Sequence, residues 1–436
     1  MSRSVVIQAL VCAGLTVSFG ATTQAADPSA QVTGNPVIQW NKTLLSIVRT
    51  KGAQPSTIHP TRSFAILHAV MYDAVNSIEG DHQPYRIQIA GVSPQASEEA
   101  AADEAAHDVL ANLYPAFQTA LDTQLEQALA EIPDGPDKTA GVDVGRATAA
   151  ALLALRMDDG SGGTPPPFVF TNVPGRYQST PPNFPPQPSF TQWPKVRTFV
   201  LRRADQFRPG APPALTSQEY TEVFDEVKAV GIQGGNVATA DEALTGRFWN
   251  GAIQNYWNEI AQSAAQRKGL STAASARLFA LLNLSLADGV IAFYDAKYTY
   301  NFWRPVTAIR AADTDGNPGT APDSNWLPEV TNTATDPSYP GAHAVISSAA
   351  AFVLEDFFRT DRFPLVVTSE VLPGVTRSFA SFGAAEQEAS LSRVFAGVHF
   401  RSDENAGEVL GRRVADFITD HALQSLHRGN DGGRER

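Results

Sequence analysis

Apolar residues recur at helical spacing along most of the chain, and few stretches alternate with a period of two. In the first half, this pattern covers residues 37–48, 64–78, 98–113, 117–132 and 142–155. In the second half, it covers residues 242–266, 272–293, 341–358 and 404–424. Thr216 or Ser217, together with Glu219, suits the amino-terminal cap of one further helix. The pattern therefore predicts an all-α fold of helical bundles, with two halves that each resemble a four-helix bundle.

A long proline-rich segment at residues 160–213 separates the two halves. It holds 13 of the 30 prolines, which excludes regular helix because proline lacks the backbone N–H that a helix needs. Six aromatic residues lie among these prolines: Phe168, Phe170, Tyr177, Phe184, Phe190 and Trp193. One interpretation is a linker, and the other is an extended segment that packs over the helices and lines a cleft.

The amino terminus has the pattern of an export signal. Arg3 precedes an apolar stretch at residues 5–21, and small residues around Ala25 and Ala26 suit cleavage by a signal peptidase. Cys12, the one cysteine of the chain, lies inside this stretch, so the mature protein would form no disulfide. We expect a periplasmic or secreted protein without a membrane span.

Length and charge restrict the classes of function. The 436 residues suffice for a large core and for two or three domains. The formal net charge is −12, from 33 Lys and Arg against 45 Asp and Glu. Because nucleic-acid binding needs a basic face, no nucleic-acid partner is expected. The predicted parts are a signal peptide at 1–25, a helical region at 26–159, the proline-rich segment at 160–213, a helical catalytic domain at 214–427 and a tail at 428–436.

Candidate chemistry lies in three separate stretches of the second half, and the first is residues 297–305. Here Lys297 and Arg304 flank a group of aromatic residues. A lysine offers a compact cation and an arginine offers a forked one, so the two together could bind an oxyanion. Alone this indication is weak, since most Lys and Arg side chains face solvent.

The second stretch, residues 336–343, leads into an apolar helix. The backbone N–H groups of Gly341 and Ala342 lie at the predicted helix start, where helices bind anions. His343 would then lie at the mouth of that anion site. The alternative is that His343 caps the helix and has no further role.

The third stretch, residues 392–403, contains Arg393, His399 and Asp403. If one helix includes both His399 and Asp403, the spacing of four places them on one face. A carboxylate in that position would orient the imidazole and raise its basicity. The other six histidines are expected to have core or surface roles: His59, His68, His82, His107, His421 and His427.

The order and spacing of these three stretches resemble the vanadium-dependent haloperoxidase and type 2 phosphatidic acid phosphatase superfamily. The resemblance is strongest over residues 209–411 and weaker at residues 62–73. Tyr339-Pro340 and Phe302-Trp303 are similar to the bacterial haloperoxidase-related branch.

This resemblance implies a role for each matching residue. His399 would be the axial ligand of vanadium, or the phosphoryl acceptor of a phosphatase, with Asp403 supporting it. His343 would transfer protons, and Lys297 would polarise an oxygen of peroxide. The residues that would hold vanadate, or phosphate in the same site, are Lys297, Arg304, Gly341, Ala342, Arg393 and His399.

The sequence departs from the superfamily pattern at two positions. Gly341 stands where the pattern usually has a serine, so a hydroxyl that normally donates to an oxyanion is missing. Asp336 stands seven positions before His343, where Phe or His tends to lie near the halide. A carboxylate at this position would repel a halide ion.

The expected function is that of a vanadium-dependent haloperoxidase, which uses hydrogen peroxide to oxidise halide, bromide before chloride. One alternative is a phosphohydrolase that cleaves phosphate esters through a phosphohistidine. A third is a protein that binds oxyanions without catalysis. Each acts on small molecules, and the sequence leaves both a monomer and a homo-oligomer open.

Overall fold

Helices form nearly all the regular structure in the part of the chain that is described. The computed structural model describes residues 34–426, which contain thirteen α-helices and a single two-stranded hairpin. The all-α prediction is therefore confirmed. The predicted leader at 1–25, with Cys12, and the predicted tail at 428–436 lie outside the described residues.

The first half contains five helices, and each stretch predicted there overlaps one of them. They are α1 (Pro36–Arg49), α2 (Pro60–Glu79), α3 (Glu98–Leu113), α4 (Gln118–Ala130) and α5 (Pro136–Arg156). Prolines begin α1, α2 and α5, where the N–H that proline lacks has no helical acceptor in any case.

The second half contains eight helices and the hairpin. The helices are α6 (Gln218–Val230), α7 (Ala240–Phe248), α8 (Ile253–Lys268), α9 (Thr272–Tyr300), α10 (Pro305–Arg310), α11 (Ala342–Phe358), α12 (Phe382–Phe395) and α13 (Arg401–His421). Strands β1 (Leu365–Thr368) and β2 (Thr376–Phe379) pair antiparallel, with Leu365 opposite Phe379. Ser217 caps α6 by accepting the N–H of Tyr220 at 3.1 Å.

The prediction of one continuous helix over residues 242–266 was wrong, because the chain bends between α7 and α8. The carbonyl of Phe248 accepts hydrogen bonds from Ser369 Oγ at 2.9 Å and Tyr256 Oη at 2.8 Å. The N–H of Ala252 donates to Glu370 at 2.7 Å. Tertiary partners thus satisfy the backbone groups that a continuous helix would have paired.

The core lies around α2 and α9. Most residues of these two helices are buried, on all faces of each helix. Helix α9 packs against α2, α11 and α13. By length and composition α9 could cross a membrane, but 94% of its most apolar 18-residue window is buried inside the fold. That burial is typical of a core helix.

Helices α11 and α13 approach each other closely at two glycines of α13. A Cβ atom on Gly411 would lie 2.2 Å from the carbonyl oxygen of Val345, and one on Gly407 would lie 2.6 Å from that of Gly341. Backbone atoms cannot move aside, so only glycine fits at these two positions. This contact holds the first turn of α13 against the start of α11.

The proline-rich residues 160–213 pack against the helices through buried contacts. Trp193 and Phe199 are 1% and 2% exposed and belong to the main core. The buried carboxylate of Asp288 on α9 accepts N–H groups from Phe199, Val200 and Leu201 at 2.6 to 2.7 Å. Asp288 thus attaches the end of this segment to α9. The five-part division of the chain stays a prediction.

We expect Asp288→Ala to lower the free energy of unfolding by about 2–4 kcal/mol, because three buried N–H donors lose their acceptor. Urea denaturation followed by circular dichroism measures the change. The control is Asp143→Ala on α5, whose side chain is 68% exposed. The control should change stability by no more than about 0.5 kcal/mol. Equal effects of the two substitutions would contradict the role given to Asp288.

Candidate functional site

Lys297 and Arg304 come together because the chain turns sharply after α9. Asn301 ends α9 in the left-handed conformation with φ of 52°, and Arg304 then stands at the amino-terminal cap of α10. The two side chains are 0% and 1% exposed. The carboxylate of Asp336 pairs with Arg304 and lies 3.7 Å from the Lys297 ammonium nitrogen. The negative charge of this buried carboxylate therefore partly offsets the positive charges of the two buried side chains.

Backbone carbonyls hold the Lys297 ammonium group in place. It donates to the carbonyls of Pro337 and Ser338, the second at 3.0 Å. Burial lowers the pKa of Lys297 to about 8, although the charge of Asp336 opposes this shift. Lys297 is therefore still mostly charged at neutral pH.

His399 is held in one tautomer by its two neighbours. Its Nε2 atom is 2.9 Å from Nη1 of Arg304, and its Nδ1 atom is 3.1 Å from Oδ2 of Asp403. Arginine can only donate, so Nε2 accepts and Nδ1 carries the proton. Burial lowers the pKa of His399 well below its usual value, and the nearby cations add to this effect. His399 is thus a neutral imidazole whose Nε2 lone pair faces the cations.

Asp403 orients His399 from the first turn of α13. His399 precedes that helix, so the two residues share a helix start and do not lie on one helical face. Oδ2 of Asp403 also accepts the N–H of Phe400 at 3.1 Å and the hydroxyl of Ser338 at 2.5 Å. Burial raises the pKa of Asp403 to about 6.

The start of α11 differs in one respect from the prediction. Gly341 is the amino-terminal cap and Ala342 the first helical residue. The Gly341 N–H, expected to face an anion, donates instead to the carbonyl of Asp403 at 2.8 Å. This bond follows from the close approach of α11 and α13. At Ala342 the N–H lacks a helical acceptor, as at every helix start.

His343 lies in the first turn of α11 as a second neutral imidazole. Its Nε2 atom is 2.9 Å from the carbonyl oxygen of Trp249, so Nε2 carries the proton and Nδ1 is left as an acceptor. Burial lowers the pKa of His343 well below its usual value, and the charge of Arg393 lowers it further.

Arg393 lies in the last turn of α12, and most of the hydrogen-bonding capacity of its side chain is unused. Nη2 donates to Asn250 at 3.2 Å. Nε and Nη1 are buried, and neither has a hydrogen-bond partner among the described residues. Burial lowers the pKa of Arg393 to about 10, so it remains charged at neutral pH. Buried, unpaired guanidinium N–H groups indicate an anionic partner.

The structure brings the three predicted stretches to one place, which we call the cationic site. Its central residues are Lys297, Arg304, Arg393, His343 and His399, with Asp403 behind His399. Ser338 and Glu404 also belong to it, although no sequence pattern predicts a role for either. Ser338 lay within the second stretch, but no spacing rule connects it to Asp403, which is 65 residues away.

An aromatic cluster lies beside Asp336 and includes part of the proline-rich segment. The ring of Phe190 lies 5.3 Å from those of His59 and Tyr294, measured between centroids. Ser189 bonds to Thr335 through both backbone and side chain. The segment therefore reaches the residue next to Asp336. Burial lowers the pKa of His59 to about 4, so this histidine is neutral.

The described residues thus define an all-α protein with a buried cationic site around a neutral histidine. A family model described as the VCPO second helical-bundle domain matches residues 277–428. Vanadium chloroperoxidase from Curvularia inaequalis is 23% identical over 500 residues, which cover 87% of this chain and 81% of that protein.

Two solved structures share the fold. The chain is similar to the first bacterial vanadium-dependent iodoperoxidase, with 25% identity, a TM-score of 0.74 and coverage of 90% of this chain and 97% of the other. A holo-type bacterial vanadium-dependent chloroperoxidase is 16% identical, with a TM-score of 0.63 and coverage of 91% and 94%. Residues 277–428 thus match a domain model of the vanadium haloperoxidases, and the described residues share the fold of the two bacterial structures.

We expect Ser338→Ala to lower the free energy of unfolding by about 1–3 kcal/mol, because the buried Asp403 carboxylate loses a hydroxyl donor. Thermal or urea denaturation measures the loss. Ser402→Ala is the matched control, since the Ser402 hydroxyl is buried without a partner among the described residues. The control should be close to neutral. If both serine variants behave alike, the hydroxyl of Ser338 does not stabilise the site.

Proposed function

We propose that this protein is a vanadate-dependent haloperoxidase that uses hydrogen peroxide to oxidise halide, bromide before chloride. The observation that carries the proposal is the protonation and orientation of the His399 imidazole. It is buried and neutral, Asp403 holds its Nδ1–H, and its Nε2 lone pair faces the guanidinium of Arg304. A vanadium ligand needs this form of imidazole, because only a nitrogen without a proton can coordinate a metal centre.

The side chains around His399 suit a tetrahedral oxyanion such as vanadate, and phosphate would fit the same groups. Lys297, Arg304 and Arg393 supply three cations within a buried region. Arg393 still has two N–H groups without a partner among the described residues. Because a buried cation without a counter-ion is costly, a bound oxyanion would stabilise this arrangement.

Bound vanadate would supply the activation of peroxide, and the residues of the chain would bind, orient and transfer protons. Asp403 keeps the proton on Nδ1 of His399, so that Nε2 keeps its lone pair. Arg304 Nη1 donates to that lone pair at 2.9 Å, and bound vanadate would take the place of this hydrogen bond. Lys297 and Arg393 would offset the negative charge on the oxygens of the bound oxyanion. Nδ1 of His343 takes the proton that hydrogen peroxide releases, because its Nε2–H is already bound to Trp249.

The second candidate is a phosphohydrolase in which Nε2 of His399 accepts the phosphoryl group. The observation that favours it is the position of Asp336, whose carboxylate pairs with Arg304 beside Lys297. A negative charge there opposes the approach of a halide ion. The pairing with two cations reduces this repulsion, and for that reason we place the haloperoxidase first.

The test compares the two activities in one preparation. The protein from Ala26 onwards is stripped of bound anions and divided into samples with and without orthovanadate. Each sample is assayed for peroxide-dependent bromination and for hydrolysis of an aryl phosphate. Bromination that depends on vanadate supports the proposal. Hydrolysis that vanadate inhibits supports the phosphohydrolase, and neither activity would favour an oxyanion-binding protein.

We expect His399→Ala to abolish retention of vanadate while the fold survives. The loss of affinity should exceed the roughly 10- to 100-fold that the removal of a residue outside the direct ligands costs. Equilibrium dialysis measures vanadate, and circular dichroism verifies the fold. His421→Ala is the control, because His421 is an exposed residue at the end of α13. Equal retention in His399→Ala and the parent would exclude the assignment.

A further inference from the structure

The bend at residues 249–252, between α7 and α8, supplies hydrogen-bond acceptors to two side chains of the cationic site. The carbonyl of Trp249 accepts the Nε2–H of His343 at 2.9 Å, and Oδ1 of Asn250 accepts an N–H of Arg393 at 3.2 Å. The carbonyl of Trp249 also determines which nitrogen of His343 carries the proton, because the two tautomers of a neutral imidazole differ only in that position. The arrangement of the cationic site therefore depends on where the bend lies.

Two consecutive residues that follow β1, Ser369 and Glu370, hold the two ends of the bend. Ser369 Oγ donates to the carbonyl of Phe248 at 2.9 Å, and Glu370 Oε2 accepts the N–H of Ala252 at 2.7 Å. The same Oε2 atom would lie 2.7 Å from a Cβ atom on Gly251, so the carboxylate lies directly against the backbone of the bend. The carbonyl that binds the imidazole lies between these two attachments.

Little apolar burial holds the bend on its outer side. Ala252 is exposed, Gly251 has no side chain, and a cavity of about 580 Å³ lies against both. The side chain of Glu370 lines the same cavity but is only 15% exposed. Its second oxygen, Oε1, accepts Nδ2–H of Asn255 at 2.6 Å and Nε–H of Arg49 at 2.8 Å. Polar contacts of one carboxylate therefore replace side-chain packing at this end of the bend.

We propose that Glu370 is a positioning residue that keeps His343 in the tautomer with its proton on Nε2. This inference rests on the proposed function, in which Nδ1 of His343 takes a proton from hydrogen peroxide. Glu370 acts through the backbone, because it fixes Ala252 and thereby the Trp249 carbonyl that holds the Nε2–H. Without that carbonyl the proton can move to Nδ1, which then has no lone pair to offer.

Nuclear magnetic resonance of protein with isotope-labelled histidine tests the proposal, because the nitrogen chemical shifts of an imidazole show which ring nitrogen carries the proton. His343→Gln identifies the signals of His343 by their loss. The parent should carry the proton on Nε2, and Glu370→Ala should shift the His343 tautomer towards Nδ1–H. Glu370→Gln should keep the parent's tautomer, because its amide oxygen can still accept the Ala252 N–H.

Ala252→Pro breaks the same hydrogen bond from the side of the donor. The φ of Ala252 is −74°, which proline adopts, whereas proline has no N–H to donate. This variant should change the His343 tautomer in the same direction as Glu370→Ala.

The matched control is Glu259→Gln in the same cavity. The carboxylate of Glu259 pairs with Arg49 at 2.8 Å and has no hydrogen bond to the bend among the described residues. The His343 signals of this control should match those of the parent.

Peroxide-dependent bromination by the vanadate-loaded protein is the second readout. Glu370→Ala should lower the rate about 10- to 100-fold, as the removal of a residue outside the direct ligands does. Glu370→Gln should recover most of the rate, and Glu259→Gln should stay within about twofold of the parent. Circular dichroism verifies the fold of each variant. A variant that is merely less stable loses activity without a change in the His343 tautomer.

Three results would overturn the proposal. The parent could carry the His343 proton on Nδ1. Glu370→Ala and Ala252→Pro could both leave the proton on Nε2, which would show that the bend holds without the carboxylate. Glu259→Gln could change the tautomer as much as Glu370→Ala, which would assign the effect to the charge of the cavity.

The proposed function fails separately, if the parent shows no bromination with vanadate. The tautomer measurement would then still decide whether Glu370 positions His343.

Discussion

The direct contact between the backbones of α11 and α13 is the constraint on which the cationic site depends. Gly407 and Gly411 allow the first turn of α13 to lie against the start of α11. One consequence is the bond from the Gly341 N–H to the carbonyl of Asp403. A bulkier residue at either glycine would separate the two helices and move Asp403 away from Ser338. The histidine, its orienting carboxylate and the helix start therefore form one rigid unit.

Burial shifts the pKa values of the groups in the cationic site. It keeps His343 and His399 neutral, whereas Lys297 and Arg393 remain charged at neutral pH although burial lowers their pKa values. Water would otherwise compete for the N–H groups of Arg393. In a dry environment each hydrogen bond to an oxyanion is stronger than in water, and each unpaired group is more costly. Under the proposed function, the same burial strengthens the binding of an anion and makes the unpaired N–H groups of Arg393 costly without one.

The two departures from the superfamily pattern, at Gly341 and Asp336, acquire a physical meaning in the structure. The glycine leaves space, and the carboxyl group of Glu404 occupies it. The carboxylate of Asp336 does not stand alone, because Arg304 and Lys297 share its charge. Neither departure removes the cations or the neutral histidine on which the proposed oxyanion binding depends. Both change the polar groups of the cationic site.

The sequence by itself determined the helical class, and it named most of the side chains that the structure brings together at the cationic site, because both follow from local patterns. Helical periodicity shows in neighbouring residues, and the spacing from Lys297 to Arg304 and from His399 to Asp403 lies within single stretches. Other features depended on the packing of distant segments. The break between α7 and α8, the bond from Ser338 to Asp403 and the position of Glu404 against Gly341 are of this kind. Only the tertiary structure decided these, because no local pattern encodes which backbone groups and volumes will meet across the core.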